Sequence, residues 1–202
     1  MPSRQAIKAQ AKASFAHQRG TGILLFFVFA LLACVCGVIP FLGLILVPVL
    51  SVGLVLGSLR LYRGEHTEVS HLFAKFGDDF GRCLGGVLWA LLFTFLWSLL
   101  FWVPGIVKSY AYRMTPYILA ECPHVRPTDA IKLSMRMTKG YKGALFVNDL
   151  SFIGWYLLSA LTLDILGLVY VFPYYGTTQA GYYLALRDQA LRDGVIHPQE
   201  LA

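Results

Sequence analysis

Gly86-Val-Leu-Trp-Ala-Leu-Leu-Phe-Thr-Phe-Leu-Trp-Ser-Leu-Leu-Phe-Trp-Val103, followed at once by Pro104, decides the class of this fold. The stretch carries no charge. With the residues back to Gly81 it is long enough for a helix to cross a hydrocarbon core of about 30 Å, which takes roughly 20 apolar residues. Pro104 then opens a second run of similar length, because proline starts a helix at little cost and interrupts one at high cost.

The same unit is found on both sides of this stretch. A basic amphipathic segment closes at Gly20, Gly77 or Gly140, and a proline at Pro48, Pro104 or Pro173 opens the second run of the unit. About 30 residues separate glycine from proline in each unit, room for one membrane-length helix and a tight joint. The expected spans are Thr21–Val38, Leu44–Tyr62, Gly81–Val103, Pro104–Glu121, Gly143–Leu163 and Gly167–Leu186. The expected fold is therefore an all-α integral membrane protein, a single domain over residues 1–202. Its six transmembrane helices form three hairpins, each preceded by a cytoplasmic amphipathic interfacial helix. The units, about 1–65, 66–122 and 123–188, form a pseudo-threefold internal repeat, with a cytoplasmic tail over 189–202.

The amphipathic segments rest on periodicity. In Ser3 to Gly20, Ile7, Ala11 and Phe15 recur every four residues behind a Ser3 cap. In Thr67 to Gly77, Thr67 is the expected cap, and Val69, Leu72, Phe73 and Phe76 form the stripe. In Thr128 to Gly140, Ile131 and Met135 share a face with Thr138, and Lys132, Arg136 and Lys139 supply charge. Each is too short to span and has a polar face, so each is expected in the interface plane.

Composition agrees. The 202 residues are 57% hydrophobic and 14% charged, against about 25% charged in a soluble domain. The net charge of +6 is the signature of an anionic leaflet facing basic flanks, and nucleic acid is not an expected partner. Fifteen of the 17 lysines and arginines fall near the amphipathic segments or the chain end, and none at a hairpin tip. That asymmetry places both termini in the cytoplasm. The four cysteines read as apolar fillers. Leu31-Leu32-Ala33-Cys34 resembles a lipoprotein cleavage box, but the apolar run continues past Cys34 as a span does, so lipidation is not expected.

Only Lys108 and Arg113 remain inside a span. Near a helix centre the two cost about 5–7 kcal/mol, while each Leu, Ile, Val or Phe returns only about 0.3–0.6. The fourth span must enter with the third and have its charges sheltered. Asp149 lies about 9 Å into the fifth span and Arg113 about 12 Å above Glu121, so their depths match. Arg113–Asp149 is the expected pair, with Asn148 beside it, and Lys108–Asp164 a second pair nearer the outer end. Lys108, Arg113, Asn148, Asp149, Asp164 and Tyr112 thus form the candidate polar site, either as structural clasps or as a functional route. Gly53 and Gly57, Gly105 and Ser109, and Gly176 and Ala180 are spaced four apart, as in close helix packing. They put the even spans inside and the odd spans outside.

Trp97-Ser-Leu-Leu-Phe-Trp-Val-Pro-Gly-Ile-Val-Lys108, Tyr110 to Ala120, Ala130-Ile-Lys-Leu-Ser134, Lys139-Gly140 and Asp149-Leu-Ser-Phe-Ile-Gly-Trp155 together resemble the domain-of-unknown-function family 975. With the N-terminal helix and the Phe73 to Gly81 segment, the resemblance extends over most of residues 1–188. It implies a multi-pass protein of the bacterial inner membrane and, since the family has no assigned activity, no mechanism. All five histidines lie in segments expected to be cytoplasmic, and no paired carboxylates share a span. No cofactor, metal or catalytic residue is expected. The leading expectation is a non-enzymatic scaffold or accessory that binds lipid, a membrane-protein partner or itself. The alternative is a small transporter using helices four to six.

Overall fold

The computed structural model describes residues 2–77, 79–100 and 102–201, without the side chains of Pro40, Leu100 and Trp102. The described residues contain helices and no strands. Among the described residues, four helical stretches are long and apolar enough to cross a membrane: Arg19–Val38, Phe41–Arg63, Phe80–Leu99 and Lys142–Leu161.

Helix α1 (Arg4–His17) begins where Ser3 Oγ accepts the Ala6 N–H at 3.2 Å. That bond satisfies one of the donors a helix start leaves open. Its stripe, Ile7, Ala11 and Phe15, is fully buried where the helix packs on α3 (Pro40–Arg63) and α10 (Phe172–Arg192). The chain turns at Gln18, two residues before the expected stop at Gly20, and α2 (Arg19–Val38) starts immediately. Gln18 holds this corner: its amide donates to the Glu65 carbonyl at 2.8 Å and accepts the Thr67 N–H at 3.2 Å.

Helix α3 starts earlier than the sequence suggests, at Pro40, so Pro48 lies well inside it. Pro40 brings a helix-ready φ and lacks an N–H that would go unused there anyway. Gly53 of α3 meets the Leu72 backbone, and Gly57 meets Leu25 of α2. The segment expected as a helix capped by Thr67 is instead a single 3-10 turn, Val69–Phe73, entered from Glu68. The His71 ring folds back to the Glu68 N–H at 2.9 Å, and Leu72 is wedged against Gly53, which leaves no room for an α-helical stripe. Phe73 faces out.

Helix α4 (Phe80–Leu100) exposes Leu91, Leu92, Phe95, Leu96 and Leu99. The run expected as a continuous fourth span breaks in two, α5 (Trp102–Tyr112) and α6 (Thr115–Glu121). Pro116 in the first turn of α6 has no N–H to give back to Tyr112, so the helical ladder stops. Helix α7 (Pro127–Met137) repairs the break: Ser134 Oγ accepts the Met114 N–H at 3.1 Å and donates to the Ala111 carbonyl at 2.7 Å. This helix starts at Pro127, one residue before the expected Thr128. Beyond it Gly140 turns at a φ of 86°, the left-handed region that favours glycine.

The fifth run is also interrupted. Helix α8 (Lys142–Leu150) gives way to α9 (Ile153–Leu161) through a turn at Ser151 and Phe152. Leu163 and Asp164 follow in the left-handed region, φ 50° and 61°. A π-helical turn, Gly167–Val171, then leads into α10. Helix α10 is the interior element: Tyr182 and Tyr183 are almost fully buried, Gly176 meets Phe26, and Ala180 is fully buried.

The inner and outer division is therefore partial. Helices α3 and α10 are inside, but α5 exposes Val103, Ile106 and Val107. Gly105 does pack, against Ser98. Ser109 does not: it is exposed, and its hydroxyl donates to its own helix at the Ile106 carbonyl, 2.7 Å away. Because Ser134 serves both ends of the α5–α6 break, Ser134→Ala is expected to lower unfolding free energy by about 1–3 kcal/mol. Thermal unfolding in detergent checks this, with Ser109→Ala as a near-neutral control.

Candidate functional site

Asp149, on α8, is the centre of the polar interior. Its Oδ2 accepts Arg113 Nη1 at 2.6 Å and the Tyr110 hydroxyl at 2.8 Å. Its Oδ1 accepts the Tyr175 hydroxyl at 2.9 Å and Gln179 Nε2 at 3.1 Å. The Arg113 guanidinium also lies 4.4 Å from the Tyr110 ring centre, a favourable place for a cation. Arg113 sits in the α5–α6 break, so the break aims the guanidinium across to α8.

The remaining predicted residues divide. Asn148 is fully buried, but neither its side-chain Nδ2 nor its Oδ1 has a hydrogen-bond partner among the described residues, so it does not join the pair. Gln179 Oε1 and Thr115 Oγ1 are likewise buried and unpartnered among the described residues. Lys108 and Asp164 are not paired. Asp164 closes its own turn, accepting Ser159 Oγ at 2.8 Å. The Lys108 ammonium instead stands over aromatic faces, 4.8 Å from the centre of Trp97 and 5.9 Å from that of Tyr112. It lies in a groove of about 470 Å³ between α4, α5 and α7, lined by Trp89, Phe93, Trp97, Tyr112 and Lys132 among others. Among the described residues, three or more metal-ligating side chains do not come together anywhere.

Residues 99–190, which hold the Asp149 cluster and most of the groove, match the family described as protein of unknown function (DUF975). Over this range, just under half of the chain, it is similar to the DUF975 family. The match takes in α5 to α9 and most of α10, a narrower range than the resemblance read over most of residues 1–188. No curated protein matches the chain, and no solved structure matches it.

Two further ionic clusters join the DUF975 region to the helices before it. Glu121, at the end of α6, accepts Arg187 at 2.6 Å, the Tyr183 hydroxyl at 2.7 Å, and Arg63 from the end of α3. Asp79 accepts Lys75 at 3.0 Å and Arg82 at 2.9 Å. Arg82 in turn donates to the carbonyls of Leu119 and Cys122, acceptors that the end of α6 leaves open, and to that of Val125 in the loop beyond. Burial alone would raise the Asp79 carboxyl, but the hydrogen bonds and charges of Arg82 and Lys75 outweigh it and hold it below its usual range.

The sequence did not reveal the partners of Glu121 and Asp79, nor the donors to Asp149 other than Arg113. The i, i+4 spacing of Tyr175 and Gln179 on one helix face was the signal available for the donors to Asp149.

The Arg113–Asp149 pair gives the first test. Its side chains are 26% and 21% exposed, so breaking it costs less than the roughly 3–5 kcal/mol of a fully buried pair. Asp149→Asn and Arg113→Gln are each expected to cost about 2–3 kcal/mol, and the double variant less than their sum. A double-mutant cycle on unfolding free energy measures this coupling, expected above about 1 kcal/mol.

Asp79 gives the second. Its lowered carboxyl pKa contributes stability that is complete above its unfolded pKa, about 4, and is lost as pH falls through the folded value. Asp79→Asn is expected to unfold at lower temperature than wild type at pH 7, and to lose less between about pH 5 and 3. Unfolding curves across that window check both.

Proposed function

We propose that the chain is a non-enzymatic accessory or scaffold of a bacterial inner membrane that binds lipid or a membrane partner. In this reading it crosses the membrane six times as three hairpins with cytoplasmic termini, and its repeated units surround a pseudo-threefold centre. Three exposed apolar patches support that topology: Val35, Val38 and Phe41; Phe95, Leu99 and Val103; and Leu157, Leu161 and Leu163. Each lies where one expected hairpin turns, and none contains a lysine or arginine.

One observation carries the accessory reading. Both oxygens of Asp149 are occupied by donors from its own chain, two each. A carboxylate saturated in this way fixes one arrangement of helices and has little capacity left for a passing solute. The ionic clusters at Glu121 and Asp79 likewise bind helix ends to one another.

A transporter using helices four to six is the second reading, favoured by the unpartnered polar atoms of Asn148, Gln179 and Thr115 close in sequence or bonding to Asp149 and Arg113. Such atoms are uncommon in a finished interior. Proteoliposomes separate the two. The accessory reading expects fluxes of protons, sodium, potassium, chloride and small organic anions equal to those of empty vesicles. Flux above that level, abolished by both Lys108→Ala and Asp149→Asn, would establish the transporter instead.

A further inference from the structure

The groove between α4, α5 and α7 is built from one stripe of each helix. Helix α4 supplies Trp89, Phe93 and Trp97 at four-residue spacing, and α5 supplies Lys108 and Tyr112 at the same spacing. Helix α7 closes the third side with Ile131, Lys132 and Met135. The trough is thus walled by large aromatic and aliphatic surfaces and carries two ammonium groups.

The charges in it are unbalanced. Lys132 reaches Asp129 at 3.5 Å, but that lysine is mostly exposed and the pairing is weak. Lys108 is half-buried, and among the described residues no carboxylate pairs with it. Its ammonium is balanced only by the faces of Trp97 and Tyr112. A cation held in an apolar wall without a counter-ion is costly, and a desolvated anion placed beside it lowers that cost. Trp89 is itself exposed, and it also borders a neighbouring apolar depression with Leu88 and Leu92.

We propose that this groove holds one anionic glycerophospholipid, with its phosphate between Lys108 and Lys132 and an acyl chain along the Trp89–Phe93–Trp97 wall. The proposal rests on the lipid-binding arm of the accessory reading and specifies its ligand. Charge complementarity selects the anionic class. The aromatic wall selects a molecule with a long apolar part over a free phosphate. A bound phosphate would also supply the anion that Lys108, unlike Arg113, lacks among the described residues.

Native mass spectrometry of the full chain tests it. The protein is released from mixed micelles containing phosphatidylglycerol and phosphatidylcholine with identical acyl chains. Wild type is expected to retain one phosphatidylglycerol in preference to phosphatidylcholine. At about fivefold per lysine, Lys108→Gln with Lys132→Gln reduces that retention roughly 25-fold. Lys12→Gln with Lys139→Gln removes the same charge from outside the groove and is expected to leave retention unchanged, and Lys108→Arg with Lys132→Arg to preserve it. Should the glutamine variant not fold, Met135→Glu places a carboxylate within the groove and is expected to displace the lipid while both lysines remain.

Equal retention in wild type and in both groove variants overturns the site, as does equal loss in the control variant. A two-chain species that replaces the bound lipid and is broken by the groove variants assigns the groove to a second copy, and also overturns it. If vesicle flux is absent while anionic lipid stays bound regardless of Lys108 and Lys132, only the groove assignment fails. If solute flux dependent on Lys108 and Asp149 appears, the underlying accessory reading fails.

Discussion

A carboxylate inside an apolar helical bundle is tolerable only when its lone pairs are used, because an unpaired buried charge costs several kcal/mol. Asp149 meets that condition with four donors, and their origins explain much of the architecture. Tyr110 lies on α5, Arg113 at the α5–α6 break, and Tyr175 and Gln179 one turn apart on α10. To satisfy this one side chain, α5, α8 and α10 must converge, and the fourth run must be broken where Arg113 turns inward. The break is in turn possible only because Ser134 of α7 takes over the hydrogen bonds that the interrupted helix loses. A short helix that the sequence places at the interface is therefore part of the interior's support.

The clusters at Glu121 and Asp79 extend the same logic. Glu121 ties the ends of α3, α6 and α10 together. Asp79 orients Arg82, which covers the last carbonyls of α6. At Asp79 the ion pair aims a guanidinium that does for the end of α6 what backbone donors would otherwise do. Lys108 is the exception, a cation with aromatic neighbours and no anion among the described residues. That contrast is why the groove, and not the centre, is where a ligand is assigned.

Local signals in the sequence proved informative where local physics decides the outcome. The Ser3 cap, the Ile7–Ala11–Phe15 stripe and the close contacts at Gly53, Gly57 and Gly176 all follow from periodicity and residue size. The Arg113–Asp149 contact followed from depth alone, since both must lie at one level for the charges to meet. Depth could not settle direction around a helix, and so Lys108 and Asp164 were matched in height but point to different neighbours. Asp164 is committed to a left-handed turn closed by Ser159, which no spacing rule reveals. Pro116 was visible, but a proline marks a break only if something else accepts the freed backbone groups, and Ser134 is remote in sequence. The 3-10 turn at Val69–Phe73 was hidden for a similar reason: its stripe has helical spacing, and tertiary contact at Gly53 overrides it.

The proposed accessory role requires that the saturated carboxylate of Asp149 offer no route to solute from either side of the membrane. Cysteine accessibility at Gln179 tests it most directly, because Gln179 touches Asp149 and is nearly buried. With the four native cysteines replaced by serine, Gln179→Cys in sealed vesicles would be treated with a membrane-impermeant maleimide from each side, beside an exposed Ser70→Cys control. Ser70→Cys is expected to be modified from one side, and Gln179→Cys from neither until the protein is unfolded. Modification of Gln179→Cys in the folded protein from either side would contradict it.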